Sequence, residues 1–114
     1  MKHDVSSFLG DILAAIQSIE DFLNGVDETT FLASDLMRSA VERKFIIIGE
    51  ALSQVDKLGF TDGIAIAEQQ QIIGFRHRLV HGYRIIDGRR VYATAKEAMP
   101  VLKAAVSKLL LNPH

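Results

Sequence analysis

The chain has 114 residues, 48% of them hydrophobic, with 13 Lys and Arg against 14 Asp and Glu and no Cys. That length fits one domain, residues 1–114, with a modest core, and a formal net charge of −1 argues against indiscriminate coating of nucleic acid. Disulfides and thiolate metal sites are excluded, no apolar run is long enough to span a bilayer, and Asp4 and Asp11 interrupt any signal-peptide core, so a soluble cytoplasmic protein is expected.

Val5, Phe8, Ile12, Ile16, Ile19 and Leu23 recur at steps of three and four, which predicts a first helix with one buried stripe. Asn24-Gly25 supplies its stop. Asp27 is placed to cap a short turn through Phe31 and Leu32, and Ser34 or Asp35 to open the next helix. That helix is predicted over about residues 35–58, with Met37, Val41, Phe45, Ile48, Leu52 and Val55 as its main stripe. At about 100° per residue, Arg43, Ile46, Ile47 and Glu50 fall on the other side. A helix apolar on two faces is buried on two faces, and in so small a domain the second face is expected to meet another subunit. Gly49 in mid-helix costs about 1 kcal/mol relative to Ala and reads as a point of close helix approach.

Gly59 and Thr61-Asp62-Gly63 mark a loop. The following helix is predicted to begin between Asp62 and Glu68 and to end at His81, where Gly82 can take the left-handed conformation. Residues 84–88 read as a connection. The last helix is predicted over about residues 89–111, turning Val91, Ala95, Met99, Leu102, Val106 and Leu109 inward. Pro100 inside it should bend it or remove a hydrogen bond. The pattern as a whole is an all-α bundle of four long helices plus a short turn.

Charge is segregated. Residues 1–28 hold Asp4, Asp11, Glu20, Asp21, Asp27 and Glu28 against Lys2 alone, whereas residues 76–90 hold Arg76, Arg78, Arg84, Arg89 and Arg90 against Asp87 alone. Such a segment is either an anion site or a solvated basic surface. Residues 75–83 read F-R-H-R-L-V-H-G-Y. With Ile72 at zero, Ile72, Ile73, Phe75, Leu79 and Val80 span an arc of roughly 160°, and Arg76 falls near its middle at about 40°. His77 and His81 lie one turn apart on the flank, with Arg78 on the far side.

Cations near a helix C-terminus complement its dipole by about 0.3–1 kcal/mol each, which accounts for Arg78 and His81. It does not account for Arg76, because a buried guanidinium is costly unless paired. Two compatible arrangements relieve it. Arg76 pairs with a buried carboxylate, for which Glu50 is the natural candidate, or its face opens onto a cleft that admits an anion. Glu50 is read as the structural partner of an arginine, with Arg43 the other member of the candidate pair.

At this point R-H-R-L-V-H-G-Y resembles the Arg-x4-His-x-Tyr motif of HepT-like ribonucleases, a branch of the HEPN superfamily. Arg76 takes the arginine position, His81 the histidine and Tyr83 the tyrosine. A-V-E-R-K-F-I-I-I-G-E-A at 40–51 is similar to the family's second long helix, and the segment around Met99 and Pro100 to its last, so the resemblance covers nearly the whole chain. It implies a four- to five-helix up-and-down HEPN-like bundle, homodimeric, with the motif helices facing each other across a cleft. It further implies cofactor-free, metal-independent RNA cleavage by the toxin of a type VII toxin–antitoxin pair, whose partner is a minimal nucleotidyltransferase antitoxin. The motif tyrosine is a position such an antitoxin can adenylylate, which maps to Tyr83. In one respect the chain departs from the pattern: the residue after the motif arginine is often polar, such as Asn, and here it is His77.

These residue types suit the chemistry. RNA carries its own nucleophile, the 2′-hydroxyl, so cleavage needs a base, an acid and positive charge on the phosphorane-like transition state. An unperturbed His titrates near pH 6.5, which fits His81 for proton transfer. Arg76 can hold two phosphate oxygens at once. His77, Arg78 and Tyr83 are candidates for supporting RNA contacts. A two-fold axis would supply two His81 side chains, one as base and one as acid. A second reading keeps the helical dimer without the chemistry, as a module binding a nucleotidyltransferase or a nucleotide; the intact Arg76 and His81 favour the enzyme. His77 and His81 also have the i, i+4 spacing of helical zinc ligands, but with no Cys and no carboxylate nearer than Glu68 or Asp87 a metal site is not expected. Tyr92 reads as a packing residue.

Overall fold

The computed structural model describes residues 5–59, 72–74, 76–77 and 87–111. Within those limits lie the helices α1 (Val5–Leu23), α2 (Glu28–Ala33), α3 (Asp35–Lys57) and α4 (Gly88–Leu111). Residues 72–74 and 76–77 are also helical. Among the described residues there is no strand, so the all-α expectation holds. No described helix is long and apolar enough to cross a membrane.

The boundaries follow from capping chemistry. α1 stops where Gly25 takes φ +72° and the Val26 amide donates to the Leu23 carbonyl at 3.0 Å, a left-handed turn that glycine enters without steric cost. Asp27 Oδ1 then accepts from the Thr30 amide at 2.8 Å, capping α2. Ser34 serves two helices at once. Its amide closes α2 on the Phe31 carbonyl, and its Oγ accepts from the Met37 amide at 3.1 Å to open α3, satisfying donors a helix start leaves free. Arg38 locks this corner by donating to the Leu32 carbonyl and the Asp35 carboxylate. Asp87 Oδ1 accepts from the Arg89 amide at 3.0 Å, so α4 starts one residue earlier than periodicity suggests.

α1 lies chiefly against α3 and also against α4, with α2 closing onto α4. The core is built from the expected stripes: Ile12, Ile16, Ile19 and Leu23 of α1; Val41, Phe45, Ile48, Leu52 and Val55 of α3; Val91, Ala95, Met99, Leu102 and Val106 of α4. Four positions shift outward, Leu109 of α4 among them. Val5, Phe8 and Met37 are half-buried, while Leu9 and Ala15 are fully inside. Pro100 is exposed and the helix continues through it to Leu111, so the lost bond is that of the Lys96 carbonyl, four residues back.

Tyr92 does more than pack. Its ring stands 5.4 Å from that of Phe31 at a tilt of 47°, and its hydroxyl donates to the Val26 carbonyl at 2.7 Å, tying α4 to the α1–α2 turn. Lys103 reaches Glu20 at 2.9 Å across α1 and α4. On α3, Ile46 and Ile47 are half-buried while Arg43 and Glu50 are exposed, so the second face carries apolar surface that this chain covers only in part. Glu42 is half-buried on the same helix. Burial pushes its carboxyl above the ordinary 4.5, against the opposing pull of Arg38, with Asp35 adding to the rise.

Three stability outcomes are expected. Phe31→Ala removes a fully buried ring and should cost about 3–5 kcal/mol in urea denaturation. Tyr92→Phe leaves the ring but strands the Val26 carbonyl, for about 1 kcal/mol. Because the folded state raises the Glu42 pKa, it favours the neutral acid, and stability attributable to this group is lost as pH rises through the folded value. Glu42→Gln should therefore raise the denaturation midpoint at pH 7, and the gain should vanish below the ordinary pKa of 4.5; an equal gain at pH 3.5 and pH 7 would contradict this.

Candidate active site

Ile72 and Arg76, one helical turn apart, both come up against Gly49 of α3. A Cβ built on Gly49 would lie 2.4 Å from the Arg76 Cβ, 2.8 Å from its Cγ and 3.4 Å from the Ile72 carbonyl oxygen. Ordinary carbon–carbon contact is about 3.5–4.0 Å, so the two backbones approach here in a way that any side chain at 49 would forbid. Ile72 is fully buried beside this crossing. The aliphatic stem of Arg76 is thereby laid across the α3 backbone.

The polar end of that side chain is unusual. The residue is half-buried, yet its Nε is fully enclosed and makes no hydrogen bond among the described residues. An enclosed, unsatisfied donor on a charged group costs roughly 1–3 kcal/mol or more. It persists only where the rest of the fold holds it or where something absent from the isolated chain satisfies it.

The expected carboxylate partner is not there. Glu50 is exposed and forms no ion pair with Arg43 or Arg76. The ion pairs among the described residues are Arg38–Asp35, Arg89–Asp87 and Lys103–Glu20. One residue beyond Gly49, Glu50 is turned by about 100° and stands instead on the rim of a groove of about 490 Å³ that it lines with Phe8, Asp11, Ile47, Ala51 and Gln54. Apolar neighbours in sequence suggested burial, but angular position decided it. Arg76 is therefore not paired with Glu50, the carboxylate expected for it.

His77 is exposed on the turn after the crossing. Arg78, His81 and Tyr83 lie outside the described residues. Among the described residues, no three His, Asp or Glu side chains gather where they could hold a metal ion. Arg89 and Arg90 are exposed at the start of α4, and Asp87 between them and the motif has its carboxyl held below the ordinary range, mainly by the Arg89 amide. Glu42 shares the Gly49 side of α3, two turns earlier and about 20° away. Sequence reasoning identified Gly49 as a close approach but not what approaches it, because a helical wheel does not specify which helix crosses.

Comparison with known proteins identifies the family. A family model described as ribonuclease HepT-like matches residues 12–109. A Thermococcus cleftensis protein named "Probable ribonuclease HepT" is 32% identical over 109 residues, covering 96% of this chain and 98% of its own. A Methanocaldococcus jannaschii protein named as a proposed RNase is 31% identical over 105 residues, covering 92% of this chain and 95% of its own. A second from the same organism is 29% identical over 109 residues, covering 96% and 93%. No solved structure matches the chain significantly. An all-α fold, the motif arginine enclosed at a helix crossing, and a family match over almost the full length lead to one assignment: the chain belongs to the HepT-like ribonuclease family.

Proposed function

We propose that this protein is a metal-independent endoribonuclease and the toxin of a pair whose antitoxin is a minimal nucleotidyltransferase. The observation that carries the reading is the enclosed, unpartnered Nε of Arg76. A fixed guanidinium with an unmet donor suits a phosphodiester, whose nonbridging oxygens accept from it.

In the proposed reaction the RNA 2′-hydroxyl attacks the adjacent phosphorus. Its proton passes to one His81, acting as base, and the new O–P bond closes a 2′,3′-cyclic phosphate. The bond from phosphorus to the 5′-oxygen breaks, and that oxygen takes a proton from the other His81, acting as acid. Arg76 neutralises the charge that develops on the nonbridging oxygens. Two copies of His81 require a homodimer, for which the half-covered apolar face of α3 is a suitable surface. Arg78, His77 and Tyr83 support RNA binding, and the basic run through Arg90 helps draw the polyanion in. Adenylate on the Tyr83 oxygen would add bulk and negative charge beside the motif, which gives the antitoxin a means of control. A reaction of this kind belongs in the cytoplasm, where RNA and nucleotide donor are both present.

The test is cleavage of labelled RNA in excess chelator. Wild-type protein is expected to leave cyclic-phosphate ends. Arg76→Ala and His81→Ala should each lower the rate by about 10²-fold or more while keeping the wild-type circular dichroism spectrum and sedimenting as dimers. No cleavage by wild-type protein shown by mass spectrometry to carry an unmodified Tyr83 would reject the enzyme in favour of a non-catalytic binding module. A monomer stable to dilution would reject the two-histidine mechanism.

A further inference from the structure

We propose that Gly49 is a positioning residue for RNA cleavage: its missing side chain seats the stem of Arg76 against the α3 backbone and so aims the guanidinium. The inference rests on the reading above, that Arg76 meets the scissile phosphate.

Backbone conformation does not explain a glycine at this position. Gly49 lies in mid-helix, and among the described residues the glycines with positive φ are Gly25 and Gly59. Glycine inside a helix weakens it relative to alanine, so the compensating factor has to be space. Gly49 is buried, and the space is occupied by Arg76 Cβ and Cγ. Cβ is fixed to its own helix, and Cγ moves only by rotation about the Cα–Cβ bond. No rotation about the outer bonds of the arginine can move them aside.

Contact is also what remains to orient Arg76. Its Nε has no hydrogen-bond partner among the described residues, and Glu50, the carboxylate that follows Gly49 on α3, stands exposed on a different rim. A carboxylate-paired arginine takes its direction from the carboxylate. Arg76 takes its direction from the surface beneath its stem. A methyl group at 49, 2.4 Å from Cβ, would need roughly 1 Å of separation to reach normal contact. That shift would carry through to the guanidinium, and misplacement by about 1 Å can cost about 10²-fold in rate.

Gly10 provides the control. It is also in a helix, but a Cβ there would meet nothing within 4 Å. Steady-state cleavage of a short RNA should show kcat of Gly49→Ala reduced by about 10²-fold or more, with KM changed by less than about threefold. Gly10→Ala should match wild type. The loss in Gly49→Ala should exceed any loss of folded protein seen by circular dichroism. A wild-type kcat in Gly49→Ala overturns the inference while leaving the Arg76 reading intact. Cleavage that survives Arg76→Ala overturns that reading first, and the two failures are therefore distinguishable. Should Gly49→Ala not fold, the same substitution is made in an Arg76→Gly background, where the Cβ and Cγ it would strike are gone. Recovery of the thermal midpoint to that of Arg76→Gly alone supports the contact, and persistent unfolding overturns it.

Discussion

Two helices bring their backbones together only where no Cβ stands between them, and in this protein that place is Gly49. α3 is the helix on which the fold is organised. It packs chiefly against α1 and places Val41, Phe45, Ile48 and Leu52 in the core, and the motif helix crosses it at Gly49, where Ile72 is fully buried and Arg76 is half-buried. The Phe45 and Ile48 side chains fill the core directly beside the crossing. Close-packed interiors transmit displacement instead of absorbing it, so the seat of Arg76 is set by the same residues that give α3 its place in the bundle. Stability and the candidate chemistry share one helix.

The polar groups elsewhere show how unusual that seat is. Thr94 is buried and its hydroxyl donates to the Arg90 carbonyl at 2.8 Å. Tyr92 carries its hydroxyl to Val26, and Ser34 and Asp27 satisfy helix starts. In each of these cases the donor or acceptor has a partner, as a marginally stable domain requires. The Arg76 Nε alone is unanswered among the described residues. Among the described residues, an arginine is thus where a buried side-chain donor goes unmet.

Much of the fold was legible in the sequence because helical periodicity is a local signal. The stripes on α1, α3 and α4 were read from spacing alone, and Asp27 and Ser34 from the preference of short oxygen-bearing side chains for helix starts. Burial of individual residues was less legible. Glu50 sits among apolar letters but one wheel step from Gly49, enough to turn it to the open groove. Tyr92 was read as packing, and its ring does pack on Phe31, but its hydroxyl partner lies 66 residues away, beyond the reach of any local pattern. Gly49 was legible as a close approach and illegible as a contact with Arg76. That pairing is a tertiary fact, fixed by the crossing of two helices.

The same distinction explains why the motif alone underdetermines the site. An arginine in the apolar arc of a helix looks, in one dimension, like a residue in need of a carboxylate. In three dimensions it lies on a glycine and has no such partner among the described residues. Pairing would have neutralised its charge and fixed its direction by attraction, leaving it little capacity to bind a phosphate. Support by packing fixes the direction of the stem and leaves the charge available, and it does so before any ligand arrives, which removes an ordering cost from binding. A helix-weakening glycine and an unsatisfied guanidinium are each unfavourable alone. They occur here as one contact, and on the proposed reading that contact preorganises the cation for a phosphate.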